Sequence, residues 1–355
     1  MIAEPCKPGT TIGIIGGGQL GRMMCLAAAE LGFRTIVLAP DEDAPAAQVC
    51  NQYMRATYED IDALNTLAGA ADIITYEFEN ISAAALESIS SQLFPPLNAL
   101  RVSQDRLHEK TFMRENGLPV TDFIELTDRD ALAQGLAAFG GSGIVKTRQF
   151  GYDGKGQWRI NAETDWVADS ADMLAQPAIL ERIIPFTREL SIIIARGHDG
   201  QSVCYQPIEN QHENHILRRS ILPATIDPER SNAAKHIGET LVNHLDYVGV
   251  LAVELFDTAD GLIINEIAPR VHNSGHVTAD ACAVGQFEQH IRAICGWPLG
   301  DPQAHSQGEM TNILGHEIDN WAGFAADANT RLHLYGKPVA REGRKMGHIT
   351  RLTPF

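Results

Sequence analysis

The stretch VLAVELFDTADGLIINEIAPR (250–270) sets two acids, Glu254 and Glu266, among aliphatic and aromatic neighbours. Apolar runs on either side of Asp260-Gly261 predict a β-hairpin with arms over 250–256 and 261–268. A carboxylate in an apolar arm is costly unless it is paired or binds a cation. Two such acids on neighbouring strands, with Asn265 beside them, can hold Mg²⁺, which completes its shell with water and phosphate oxygens. Arg270, His272 and Asn273 follow directly and bring a cation and hydrogen-bond donors to where a phosphate would lie. A buried glutamate–arginine salt bridge would also account for the pattern.

Upstream, GIVKTR (143–148) reads as a strand carrying Lys146, and Gly151, Tyr152, Asp153, Gly154, Lys155, Gly156 and Gln157 follow. This is not a Walker A loop, which opens a helix with GK[ST]. A glycine-rich hairpin can instead fold over nucleotide phosphates, with a strand lysine supplying a point charge. An exposed turn with incidental lysines is the plainer alternative. Glu181 (in AILERII) and Glu189 (in TRELSIII) can each hydrogen-bond an adenine or a ribose, or be paired carboxylates.

At the N-terminus, GIIGGGQLG (13–21) fits G-x-G-x-x-G at Gly16, Gly18 and Gly21, between a strand at 11–16 and a helix at 19–32. Asp41 stands where a ribose-binding acid would sit in a dinucleotide fold. Glycines that open a helix let backbone amides approach any anion, so a dinucleotide, another phosphorylated ligand and a structural turn all remain open. Strands at 35–39 and 71–78 alternate with helices at 61–70 and 82–91. The fold class is therefore α/β, with a parallel sheet covered on both faces. A helix at 105–116 follows, stopped by Gly117-Leu-Pro119. From about 121 the chain becomes α+β, with short strands in DFIEL, GIVKTR, GQWRI, AILERII, ELSIIIA and SVCYQPIEN. Helices are predicted at 129–139, 165–175 and 227–245. The last has Asp227 as N-cap, Pro228 at the first helical position and Glu229 favoured by the dipole.

Composition narrows the class. The 355 residues contain 44% apolar and 21% charged residues, so the chain is globular rather than disordered. A formal charge of −17, with no basic run, argues against nucleic acid as a partner. No stretch approaches the roughly 20 apolar residues of a membrane span, and the first residues do not read as a signal peptide. The six cysteines form no C-x-x-C, which suits a reducing cytoplasm. No H-E-x-x-H or G-x-S-x-G occurs.

A glycine-rich α/β domain, a strand lysine with a glycine-rich loop, and two acids on a hairpin ending N-E-x-x-P-R together resemble the ATP-grasp ligases. GIIGGGQLGRM (13–23), TYEFEN (75–80), FGYDGKGQ (150–157), NEIAPRVHNSGH (265–276), MTNILG (310–315), LHLYGK (332–337) and RKMGHIT (344–350) narrow the resemblance to the 5-(carboxyamino)imidazole ribonucleotide synthetases of purine biosynthesis. The resemblance implies a Rossmann-like N-terminal domain over 1–104, an ATP-grasp domain over 105–300 with a lid at about 121–187, and a small C-terminal subdomain over 301–355. It implies ATP and Mg²⁺ as cofactors, 5-aminoimidazole ribonucleotide and bicarbonate as substrates, and a homodimer. ATP would be surrounded by Arg106, Lys146, the 151–157 loop, Glu181, Arg182, Ile183, Ile184, Glu189, His212, Asn265 and Glu266. Glu254 and Glu266 would hold the metal. Arg270, Lys146 and Glu266 would act in catalysis, Arg270 on carboxyphosphate. The turn at Gly18, Gln19 and Leu20 would then hold substrate rather than NAD, together with Glu77, Tyr152, Asp153, Arg270, His272, Asn273, Arg344 and Lys345. A formate-dependent glycinamide ribonucleotide transformylase and an NAD-dependent oxidoreductase are the competing readings.

Overall fold

The computed structural model describes residues 4–149, 151, 155–161 and 163–355. The first unit is built from β1 (Thr11–Ile15), α1 (Gln19–Glu30), β2 (Arg34–Ala39), β3 (Gln52–Arg55), α2 (Ile61–Ala70) and β4 (Ile73–Tyr76). Its sheet is parallel in the order β3-β2-β1-β4. The segment 82–91, expected as a helix, is instead a chain of tight turns with one short 3₁₀ piece, Glu87–Ile89. Its amides bond three residues back, as Ala85 does to Ser82 and Ile89 to Leu86. Serine hydroxyls compete for the backbone, with Ser90 Oγ donating to Glu87 O at 2.8 Å.

Helices α3 (Leu97–Ser103) and α4 (Arg106–Glu115) lead into a four-stranded antiparallel layer. That layer comprises β5 (Phe123–Leu126), α5 (Arg129–Ala138), β6 (Gly143–Thr147), β7 (Gln157–Ile160), α6 (Trp166–Met173) and β8 (Ala178–Glu181), in the order β5-β8-β6-β7. The main sheet uses β9 (Arg188–Arg196), β10 (Ser202–Cys204), β11 (Ile208–Glu213), β12 (Ile216–Leu222), α7 (Pro228–His244), β13 (Gly249–Thr258) and β14 (Gly261–Ala268). It continues, past α8 (Thr278–Ala281) and α9 (Gln286–Ile294), through β15 (Ser306–Leu314), α10 (Trp321–Ala326), β16 (Thr330–Leu334) and β17 (Lys345–Pro354). Nine strands result, in the order β14-β13-β9-β11-β12-β15-β17-β16 with β10 on β9. SVCYQPIEN, expected as one strand, is split into β10 and β11 at Pro207, which has no N–H to donate.

Strands β9 and β13 read as unbroken apolar runs because both their faces are covered. Ile193, Ala195, Val250 and Ala252 pack with Met24 of α1 and Phe287 and Ile291 of α9. Leu190, Ile192, Ile194, Leu251 and Val253 pack with Ile237 and Leu241 of α7. Each such side chain contributes about 1.5–3 kcal/mol by leaving water. Helix α7 starts as its sequence predicts, with Asp227 accepting from Arg230 N at 2.7 Å and Pro228 at the first position. Among the described residues, no helix is long and apolar enough to cross a membrane.

Candidate active site

The hairpin β13–β14 sets Glu254 opposite Glu266. Register then slips, Leu255 facing Ile264, so that Asn265 is an extra residue in β14. Such a bulge takes a residue out of the ladder. The Asn265 carbonyl accepts from Lys110 Nζ at 2.7 Å, and its side-chain Oδ1 is shielded from solvent without a partner. Burial and the facing Glu266 push Glu254 up to about 7. Burial also opposes ionisation of Glu266, but Arg106, 2.8 Å away, and Lys146 outweigh it and hold the carboxyl below its usual range. Two facing carboxylates and an orphaned amide oxygen are a donor set that a hard divalent cation satisfies.

Behind this wall lies a buried charge cluster. Glu181, at the end of β8, meets Lys146 of β6 at 2.8 Å and Lys110 of α4 at 3.4 Å. Burial would raise its pKa, but the two lysines outweigh that and hold it at about 2. Arg106, Glu109, Lys110 and Met113 form the buried stripe of α4. Glu109 accepts from Ile267 N at 2.8 Å, and burial lifts its carboxyl to about 8. Glu189 of β9 and His212 of β11 pair at 2.8 Å. Arg182 turns outward, with Nε 2.9 Å from Asp122 Oδ2 and its guanidinium over the Phe139 ring. Ile183 and Ile184 are half-buried in the link from β8 to β9. Gly151 lines the same cleft as Arg106, Glu254, Glu266, Arg270 and His272. Gly156 accepts from Thr147 N at 2.9 Å just before Gln157 opens β7. Lys155 is described, whereas Tyr152, Asp153 and Gly154 lie outside the described residues.

The other end of the cleft differs from expectation in two ways. The anion cradle that opens α1 holds the protein's own carboxylate: Gly18 N and Gly21 N donate to Glu77 at 2.5 and 2.6 Å. A phosphate cannot use those two amides while Glu77 holds them, so the turn at Gly18, Gln19 and Leu20 presents a glutamate-filled surface. Arg270, expected to lie near a phosphate, forms a two-pronged pair with Glu79 at 2.5 and 3.0 Å, whereas the salt-bridge alternative sets it against a hairpin glutamate. His272 Nδ1 accepts from Ser274 N at 3.3 Å, so Nε2 carries the proton and donates to Glu254 at 3.2 Å. Burial first, then Arg270 and Lys345, keep this imidazole neutral. Asn273 is buried with neither amide atom partnered.

Lysine 337 donates to Lys345 O at 2.7 Å. Burial, then Arg344 beside it, lowers its ammonium to about 8, against the pull of Glu77. Lys337, Arg344 and Lys345 thus gather near the N-terminal glycine turn, where Gln48 Nε2 also donates to Gly336 O at 2.8 Å. Reading by sequence missed Lys337, Glu79, Lys110 and Glu109. Lys337 and Glu79 stand inside quoted motifs, whereas Lys110 and Glu109 look like an exposed helix face.

Gly16 lies at φ +121°, and a Cβ there would fall 2.2 Å from Glu77 Cγ. Gly16→Ala is expected to lower stability by about 1–3 kcal/mol and to dislodge Glu77. The urea midpoint measures the first effect, and the ribonucleotide KM the second.

Family models match consecutive parts of the chain: a ribonucleotide synthetase preATP-grasp domain over residues 9–104, an ATP-grasp domain over 111–287, and a phosphoribosylaminoimidazole carboxylase C-terminal domain over 309–354. The N5-carboxyaminoimidazole ribonucleotide synthase of Brucella melitensis is 48% identical over 353 residues, covering 98% of both chains. That of Bacillus subtilis is 40% identical, covering 99% of this chain and 93% of its own. An N5-carboxyaminoimidazole ribonucleotide synthetase solved with ADP superposes with a TM-score of 0.96 at 42% identity, over 99% of this chain and 94% of that one. The Aspergillus clavatus enzyme, solved with ADP and 5-aminoimidazole ribonucleotide, gives 0.91 at 29% identity, over 98% and 94%. These matches take in the glycine motif, the charge cluster and the carboxylate hairpin together, so a separate dinucleotide enzyme built on the first hundred residues gives way, and the chain belongs to the N5-carboxyaminoimidazole ribonucleotide synthase family of ATP-grasp ligases.

Proposed function

We infer that the chain catalyses ATP-dependent carboxylation of 5-aminoimidazole ribonucleotide with bicarbonate, a step of purine biosynthesis. The observation that carries the reading is one cleft lined jointly by Glu254, Glu266, Arg106, Arg270 and His272, which brings triphosphate-handling and substrate-handling groups together. A bicarbonate oxygen attacks the γ-phosphorus, the bond to the β–γ bridging oxygen breaks, and ADP leaves. The exocyclic amine of the ribonucleotide attacks the carboxyl carbon of carboxyphosphate. The C–O bond to phosphate then breaks, and the amine proton leaves with the phosphate. Such phosphoryl transfer asks for position and charge neutralisation, with no protein nucleophile.

ATP is held by Arg106, Lys146, the 151–157 loop, Glu181, Arg182, Ile183, Ile184, Glu189 and His212. Glu254, Glu266 and Asn265 hold Mg²⁺, which when bound neutralises phosphate charge. Arg270, steadied by Glu79, lies against the carboxyphosphate oxygens, and neutral His272 orients Glu254. Asn273, with both amide atoms unpartnered, supplies hydrogen bonds to the substrate. Glu77 is placed with the imidazole ribonucleotide. Its phosphate is assigned to Arg344, Lys345 and Lys337 rather than to the Gly18 amide. A cytoplasmic homodimer belongs to the same reading, and sedimentation checks the dimer.

ADP release should require both 5-aminoimidazole ribonucleotide and bicarbonate. Release that persists with either omitted, or that is driven by formate and glycinamide ribonucleotide, would overturn the reading. Lys345→Met should raise KM for the ribonucleotide about tenfold or more, the worth of one charged hydrogen bond. The Kd for ATP should stay within about twofold. Calorimetry with each ligand separates the two.

A further inference from the structure

Strands β16 and β17 set His333 directly opposite His348, with the rings stacked at 4.5 Å. Asp280, on the short helix α8, reaches the same point, its Oδ2 2.9 Å from His333 Nε2. One ligand atom from each residue lies within 4.8 Å of the others. His348 is wholly buried. Its Nδ1 is 2.7 Å from the Tyr335 hydroxyl, whereas its Nε2 has no partner. An ion pair between Asp280 and His333 accounts for two of the three side chains and leaves that buried nitrogen unexplained. An unpaired buried polar atom is costly.

We propose that Asp280, His333 and His348 form a site for a zinc-class divalent cation, separate from the carboxylate hairpin. Two imidazoles and one carboxylate select a borderline metal over Mg²⁺, which prefers oxygen. Three protein ligands leave a fourth position for water. With Nδ1–H donating to the Tyr335 hydroxyl oxygen, Nε2 of His348 carries the lone pair that faces the cation, the arrangement of ligating histidines held through their other ring nitrogen. Burial keeps both His348 and its stacked neighbour His276 neutral. Ligand atoms around zinc lie about 3.3 Å apart, so closure asks only a small shift of His333, which stands on the edge strand β16. Once filled, the site would tie α8, just beyond His272 and Asn273, to the strand that begins at Lys345.

The test uses the full chain stripped with chelator, then titrated with Co²⁺ in saturating Mg²⁺ so that the oxygen-rich site is occupied. Wild type should bind one equivalent with visible d–d absorption. Asp280→Asn and His333→Gln should each weaken binding about tenfold or more. Zn²⁺ should raise the wild-type Tm by more than that of either variant. Absence of the absorption in wild type, or indistinguishable titrations of wild type and both variants, would overturn the proposal. Both substitutions are partly exposed or isosteric, and the metal-free Tm reports whether each variant is folded.

Discussion

Glu266→Gln should remove turnover almost completely, by about 10³-fold or more, while the protein stays folded. The side chain is a near-isostere and is only partly shielded. What changes is charge. Glu266 is the ionised member of the carboxylate pair, held so by Arg106 and Lys146 against burial. With an amide there, Arg106 loses its partner at 2.8 Å. With Glu266 made neutral, Glu254 is the one carboxylate left in the hairpin pair, and a single negative charge holds a divalent cation with ATP less well than two. ADP release under saturating substrates measures the loss, and an unchanged circular-dichroism melt shows that the fold survives. Wild-type turnover in this variant would remove the hairpin from the chemistry.

Replacing Glu181 by Gln should cost stability rather than chemistry alone, by about 3–5 kcal/mol at neutral pH. Glu181 is the shared counter-charge of Lys110 and Lys146, and both ammonium groups are buried. Removing it strands them. The sign with pH follows from a folded pKa of about 2 against about 4.3 in an unfolded chain. A depressed carboxyl contributes stability that is fully present above the unfolded value and is lost as pH falls toward the folded one. The urea midpoints of wild type and Glu181→Gln should therefore differ most above about pH 4.3 and converge as pH approaches about 2. A gap independent of pH would mean that the effect is one of packing.

The hairpin, the helix at 227–245 and the lysine strand were legible because each carries its own local signal: alternating or continuous apolar runs, an Asp-Pro cap, glycines at a turn. Pairings between distant segments carry none. Nothing near Glu79 announces Arg270, 191 residues on. In α4 the charged residues Arg106, Glu109 and Lys110 share one helical stripe with Met113, and a charged stripe ordinarily faces water. The β11–β12 hairpin was missed because its turn rests on Asn214 and His215 at positive φ without a glycine. The bulge at Asn265 was hidden too, since register is a property of two strands rather than one. The glycine motif stays open between a phosphate site and a structural turn because its occupant, Glu77, lies 56 residues beyond Gly21.

The main sheet crosses the position where the C-terminal subdomain was expected to begin, through the ladder that pairs Arg219–Leu222 of β12 with Gly308–Thr311 of β15. The boundary near 300 is therefore a seam in sequence and not in hydrogen bonding. Severing the chain there would uncover two raw edges of equal length, each offering unpaired amides and carbonyls to any passing strand. Residues 1–300 expressed alone would be adhesive rather than inert. The missing piece, supplied in trans, would be the best match for that edge, so the two fragments are natural partners for reconstitution by strand addition.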